Sequence, residues 1–94
     1  LEESDYRDCC PIAGVALETH TSCPKLTQLC GQIFDGALSI VEQLLARDGR
    51  RSPQECKDLA LTIFATYEGA LMLSAVRKDP APLRTAVAQI KRWL

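Results

Sequence analysis

Aromatic side chains are scarce in this sequence, with two Phe, two Tyr and one Trp in 94 residues. A core with so few rings must be filled by Leu, Ile, Val and Ala, although the hydrophobic total of 47% is ordinary for a globular chain. Positive charge is not in excess either: 11 Lys and Arg stand against 12 Asp and Glu, for a net charge of -1. Nucleic-acid-binding domains usually carry a basic face or a high pI, so nothing supports direct DNA or RNA contact by these residues. Uninterrupted apolar runs are short of the ~20 residues that span a bilayer, and no membrane association is expected. Histidine occurs once, at His20. With no Gly-rich phosphate loop and no Ser/His/Asp arrangement, catalysis has no foothold.

Cysteine is present but without a recognisable framework. Cys9, Cys10, Cys23, Cys30 and Cys56 are odd in number, match no disulfide scaffold and follow no secretion signal. They are expected to be reduced, in a cytoplasmic protein. Structural zinc sites favour C-x₂₋₄-C pairs, and a redox C-x-x-C is also missing, so neither a metal nor a cofactor is expected. Packing as small hydrophobes is the main reading. Thiol or soft-metal sensing by Cys9, Cys10, His20, Cys23 and Cys30 is the alternative.

The length allows one domain, burying roughly 60–65% of its unfolded surface. Its core is thin, and a partner surface would help it. Residues 1–8 are polar, acidic at Leu1-Glu2-Glu3-Ser4-Asp5 and without a starting Met. They read as the lead-in from a missing N-terminal part, with the domain proper at 9–94.

Four helices are expected and no strand competes. Pro11 opens the first, from about 11 to 20, since Pro suits the first helical turn. Pro24 opens a second that runs to about 47. Its apolar residues Leu26, Leu29, Cys30, Ile33, Phe34, Ala37, Leu38, Val41, Leu44 and Leu45 follow the i, i+3, i+4, i+7 pattern, and Asp48-Gly49 stops it. Arg50 and Arg51 read as a solvated loop. Ser52-Pro53-Gln54-Glu55 then offers a cap, a first-turn Pro and a capping box, starting a helix over 53–78. Asp79-Pro80-Ala81-Pro82 breaks it. The last helix, 82–94, has one narrow apolar stripe of Leu83, Ala86, Val87, Ile90, Trp93 and Leu94.

The 53–78 helix is apolar around most of its circumference. At 100° per residue, Ala60, Leu61, Phe64, Leu71, Met72 and Ala75 share one face, flanked by Ile63 and Tyr67. Thr62, Thr66, Gly69, Ala70 and Leu73 share a smaller, weakly polar one. Such a helix must be covered on most sides. The small face packs either on another helix of the same chain or on a second subunit. Two-fold association is the commonest homo-oligomeric form, and two copies would make a four-helix bundle from their last two helices. Thr62, Thr66, Gly69 and Leu73, with Leu83, Val87, Ile90 and Leu94, are the expected dimer contacts.

The run Cys10-Pro11-Ile12-Ala13-Gly14-Val15-Ala16-Leu17-Glu18 resembles the opening of a regulatory domain in the tetracycline-repressor (TetR) family, in the subgroup of the lincomycin-resistance repressor. Ser52-Pro53-Gln54-Glu55, Tyr67-Glu68-Gly69-Ala70-Leu71-Met72-Leu73 and Arg77-Lys78-Asp79-Pro80 are similar to later parts of it. The likeness covers roughly residues 9–94, and its specificity lies in the order and spacing of these segments. The vicinal Cys9-Cys10 departs from the pattern, which has one cysteine there. The resemblance implies a homodimeric transcriptional repressor that binds a small effector in its C-terminal domain. Operator DNA would be read by an N-terminal helix-turn-helix domain, absent from these residues.

Phe34, Phe64, Tyr67 and Met72 are the candidate effector-pocket wall, because pockets are mostly apolar; ordinary core packing is the alternative. Glu68 lies among Leu61, Phe64, Leu71 and Ala75 on the large face. It faces either an effector pocket or a structural partner such as His20 or Arg84, since an unpaired buried carboxylate is costly. Two other functions stay open: a ligand-free helical interaction module and a small thiol-based sensor or enzyme.

Overall fold

A computed structural model describes residues 10–94. The polar lead-in at 1–8 and Cys9 lie outside the described residues. The described residues are all-α, with four helices: α1 (Pro11–Thr19), α2 (Pro24–Ala46), α3 (Pro53–Arg77) and α4 (Ala81–Trp93). Each expected helix is present with its ends displaced by one residue or none. The reason is local chemistry: Pro11, Pro24 and Pro53 mark starts, and the left-handed Gly49 and Lys78 follow the ends of α2 and α3. Two compact bodies divide the chain, Pro11–Thr62 and Ile63–Leu94, and α3 contributes to both.

In the first body, α1 packs on α2. Pro11 and Pro24 start the two helices at positions where the missing N–H costs nothing. The joint between them is closed by one carbonyl. Thr19 O accepts from the Ser22 N–H at 3.1 Å and the Cys23 N–H at 2.9 Å. It also accepts from the Thr27 hydroxyl, at 3.1 Å, which shares its proton with Cys23 O at 3.2 Å. The buried core of this body is small: Cys30, Leu45, Cys56 and Ala60. Two of these are cysteines, in the role of compact hydrophobes.

The apolar face of α2 is wider than the surface that covers it. Leu26, Leu29, Ile33, Ile40 and Leu44 are all exposed, Ile40 at 61%. Cys30, Phe34, Leu38, Val41 and Leu45 are half-buried or buried. At 100° per residue, these are two adjacent strips of one broad stripe. The periodicity fixes the stripe, but the amount covered depends on what packs against it. α2 and α3 are also long and apolar enough to cross a membrane by length and composition. The uninterrupted runs are short, but the averaged windows are not. Both helices carry exposed apolar side chains, among them Ile40, Leu44, Leu61 and Val76.

The α2–α3 joint is closed within the loop itself. Gly49 takes φ +70°, a left-handed conformation open to glycine, and its N–H bonds Ala46 O at 3.2 Å. Asp48 accepts from the Arg50 N–H at 3.1 Å and from Arg50 Nε at 2.8 Å. The expected capping box forms: the Glu55 N–H donates to Ser52 Oγ at 3.1 Å, and the Ser52 N–H donates to Glu55 Oε1 at 3.0 Å.

In the second body, α3 ends on a non-glycine left-handed residue, Lys78, at φ +51°. The Lys78 N–H reaches Ala75 O at 3.4 Å and the Asp79 N–H reaches Ser74 O at 3.1 Å. This is the paired-bond helix end known as the Schellman motif. No strand is present among the described residues.

Candidate functional site: the groove lined by α3 and α4

The start of α4 has no side-chain cap of its own, because its N-cap residue is Pro80. Its free amides are satisfied in another way. The Ala81 N–H donates to Asp79 Oδ1 at 2.9 Å. Pro82 has no N–H to satisfy. The Leu83 N–H donates to Ser74 Oγ at 3.0 Å, a bond made from the preceding helix. The Arg84 N–H begins the helical ladder at Pro80 O, 3.1 Å. Ser74 is 0% exposed, the one buried polar residue among those described. Its hydroxyl and its carbonyl both hold the chain that follows α3.

Beside this junction runs an open groove of about 610 Å³. From α3 it is lined by Ala65, Thr66, Gly69, Ala70, Leu73 and Arg77, and from α4 by Ala81, Pro82, Thr85, Ala86, Gln89 and Trp93, with Asp79 between. Small residues dominate its α3 wall. Ala70 and Ala86 are buried. A Cβ added at Gly69 would meet nothing within 4 Å, so the space above that residue is empty.

Three of the expected dimer contacts, Thr66, Gly69 and Leu73, line this groove together. Thr62 belongs to the first body; its hydroxyl bonds Asp58 O at 2.8 Å. The expected α4 contacts do not line the groove: Leu83 and Ile90 are half-buried, and Val87 and Leu94 are exposed, on an adjacent face. The α4 wall consists instead of Thr85, Ala86, Gln89 and Trp93. Ala86 and Trp93 belong to the apolar stripe of the last helix, whereas hydrophobic periodicity passes over Thr85 and Gln89. Their spacing at 85, 89 and 93, one helical turn apart, was the available signal.

Of the candidate effector residues, Phe34 is half-buried in the first body. Phe64 and Glu68 are half-buried in the second, where Tyr67 is 42% and Met72 54% exposed. None of the five lines the α3–α4 groove or the smaller cavity described below. Of Glu68's expected structural partners, His20 uses its Nδ1 at Leu17 O, 2.8 Å away.

That smaller cavity, about 250 Å³, lies in the first body and is lined by Glu42, Gln43, Ala46, Arg51, Pro53, Cys56 and Lys57. The Arg51 side chain is only 15% exposed, with Nη1 3.6 Å from Asp48 Oδ2, whereas Arg50 is 62% exposed. The arginine pair is therefore not uniformly solvated: Asp48 draws Arg51 against the cavity wall. Both signs of charge line this cavity. No group of His, Cys, Asp and Glu able to hold a metal occurs among the described residues, and Cys10, Cys23, Cys30 and Cys56 are free thiols.

Among the described residues, four helices, no strand and a groove of small side chains lined by the last two helices define an all-α domain. Residues 1–89 match the family described as "Transcriptional regulator LmrA/YxaF-like, C-terminal domain", a TetR group. The chain belongs to that family. Two curated relatives, each named an uncharacterised HTH-type transcriptional regulator, come from two strains of Mycobacterium tuberculosis, CDC 1551 / Oshkosh and H37Rv. Each is 30% identical over 100 residues, covering 100% of this chain and 50% of the relative. The chain thus spans about half the length of the curated relatives it matches. No solved structure matches it. The chain is the C-terminal domain of a TetR-family transcriptional regulator.

Proposed function

We propose that this domain senses a small effector and holds two copies of a repressor together, while DNA is read by residues outside this chain. The observation that carries the association half is the α3–α4 groove, where Thr66, Gly69 and Leu73 stand in line with empty space above Gly69. Small residues allow a second pair of helices to approach closely. Two copies joined there make a four-helix bundle. The net charge of -1 fits a domain that leaves DNA contact to another part of the protein. In this reading the domain is not an enzyme and works in the cytoplasm.

Gly69→Leu and Thr66→Arg fill or charge the groove. Both are expected to make the protein monomeric at micromolar concentration in sedimentation velocity. If both remain dimeric, the paired face is elsewhere. For the effector half, Glu68→Gln is expected to weaken effector binding with little change in melting temperature. Lost stability with unchanged affinity would move Glu68 to a structural role.

A ligand-free interaction module is the second reading. It is favoured by the exposure of Tyr67 and Met72.

A further inference from the structure

We propose that Ser74 is the positioning residue of the association groove, a role that rests on the groove being the surface that receives the second copy. Ser74 has no exposed surface, so its hydroxyl cannot exchange its partner for water. That hydroxyl accepts the Leu83 N–H in the first turn of α4. Its carbonyl accepts the Asp79 N–H in the connector. One residue of α3 thereby holds both the chain reversal and the start of the next helix.

The groove is assembled around this residue. Leu73 precedes it in sequence, Ala70 lies one helical turn before it, and Arg77 lies three residues after it; all three line the α3 wall. Ala81 and Pro82 immediately precede Leu83, and Ala86 lies three residues beyond; these line the α4 wall. The Ser74–Leu83 bond therefore sits at the end where the two walls meet. Pro80 supplies no side-chain bond to that end, and Asp79 holds the Ala81 amide but not that of Leu83. Without the Ser74 hydroxyl the Leu83 amide loses its partner, and α4 must turn or shift to reach another. A change of angle at one end of a 13-residue helix moves Gln89 and Trp93 at the other end the most. Fit across a close-packed interface of small residues is sensitive to such movement.

The test compares Ser74→Ala with Thr27→Val in the full chain. Thr27 is also a part-buried hydroxyl closing a helix joint, but in the other body. Dimer dissociation is measured by sedimentation equilibrium at a temperature where each variant is folded by circular dichroism. Ser74→Ala is expected to raise the dissociation constant about tenfold, through the displaced α4 wall, while Thr27→Val leaves it near wild type. Leu83 amide exchange, read by NMR, is expected to speed up in Ser74→Ala, with the Ala81 amide unchanged. Ser74→Thr, which keeps the hydroxyl, is expected to retain wild-type dissociation. Should Ser74→Ala unfold, Ser74→Cys carries the same test, because a thiol is a weak acceptor of similar size. An unchanged dissociation constant in the hydroxyl-deleted variant, or an equal loss in Thr27→Val, overturns the role of Ser74. A monomeric wild-type protein overturns the groove reading itself, whatever Ser74 does.

Discussion

The two outer helix joints solve the same problem with opposite chemistry. At the α1–α2 joint a hydroxyl on the later helix, Thr27, donates to a carbonyl at the end of the earlier one. At the α3–α4 joint a hydroxyl on the earlier helix, Ser74, accepts an amide at the start of the later one. Helix ends leave carbonyls or amides without intrahelical partners, and a serine or threonine hydroxyl can serve either. The two bonds differ in redundancy. Thr19 O retains two backbone donors if Thr27 is lost, whereas the Leu83 amide has Ser74 as its partner from across the joint. The α2–α3 joint uses neither device and relies on Asp48 and the Ser52–Glu55 box within the loop.

That comparison orders the expected effects of mutation. The largest falls on Ser74→Ala, because the fully buried Ser74 hydroxyl is lost and the half-buried Leu83 amide loses its partner; about 1–3 kcal/mol is expected from chemical denaturation of the chain. A loss no greater than that of Thr27→Val would erase the distinction between the joints. Ser52→Ala opens the middle joint and removes an N-cap, for about 1 kcal/mol. If its loss exceeds that of Ser74→Ala, the local box matters more than the cross-helix bond. Thr27→Val comes next, at roughly 0.5–1 kcal/mol, the net worth of one redundant hydrogen bond.

The smallest effect is electrostatic and belongs to the middle joint. The Arg50 backbone N–H, helped by its guanidinium, holds the Asp48 carboxyl below its ordinary value. The Ser52 backbone N–H, helped by its hydroxyl, does the same for Glu55. A carboxyl whose pKa is lower folded than unfolded contributes stability that is complete above the unfolded value and lost as pH falls through the folded one. The stability of this joint should therefore decline from the ordinary carboxyl values, 4.5 for Glu and 3.8 for Asp, downward. Both groups are exposed, so the decline is shallow. Glu55→Gln should flatten part of it in a pH series of melting temperatures. A slope unchanged by that substitution would assign the acid sensitivity elsewhere.

How much was legible in advance followed the range of the interaction concerned. Ser52 and Glu55 are three residues apart, so their reciprocal bonds could be read from the sequence as a pattern. Pro11, Pro24 and Pro53 mark helix starts for the same local reason. Thr66, Gly69 and Leu73 share one face at helical spacing, and they line one groove. Ser74 left no such trace, because a serine within a helix is chemically unremarkable until the chain reverses and sets Leu83 against it. Thr85 and Gln89 were passed over because a groove wall need not be apolar. The exposure of Tyr67 and Met72 was equally invisible, since periodicity assigns a residue to a face but does not say whether that face is covered.

The four helices, their ends and the small face of α3 depend on bonds and propensities within a few residues, and they are written in the sequence. The TetR-type regulatory domain was also readable from the order of its segments. Tertiary structure alone decided which part of each apolar stripe is buried, which side of α4 forms the groove, and that Ser74 holds its end. Those outcomes depend on groups distant in sequence meeting in space, where burial and the pairing of each amide are settled.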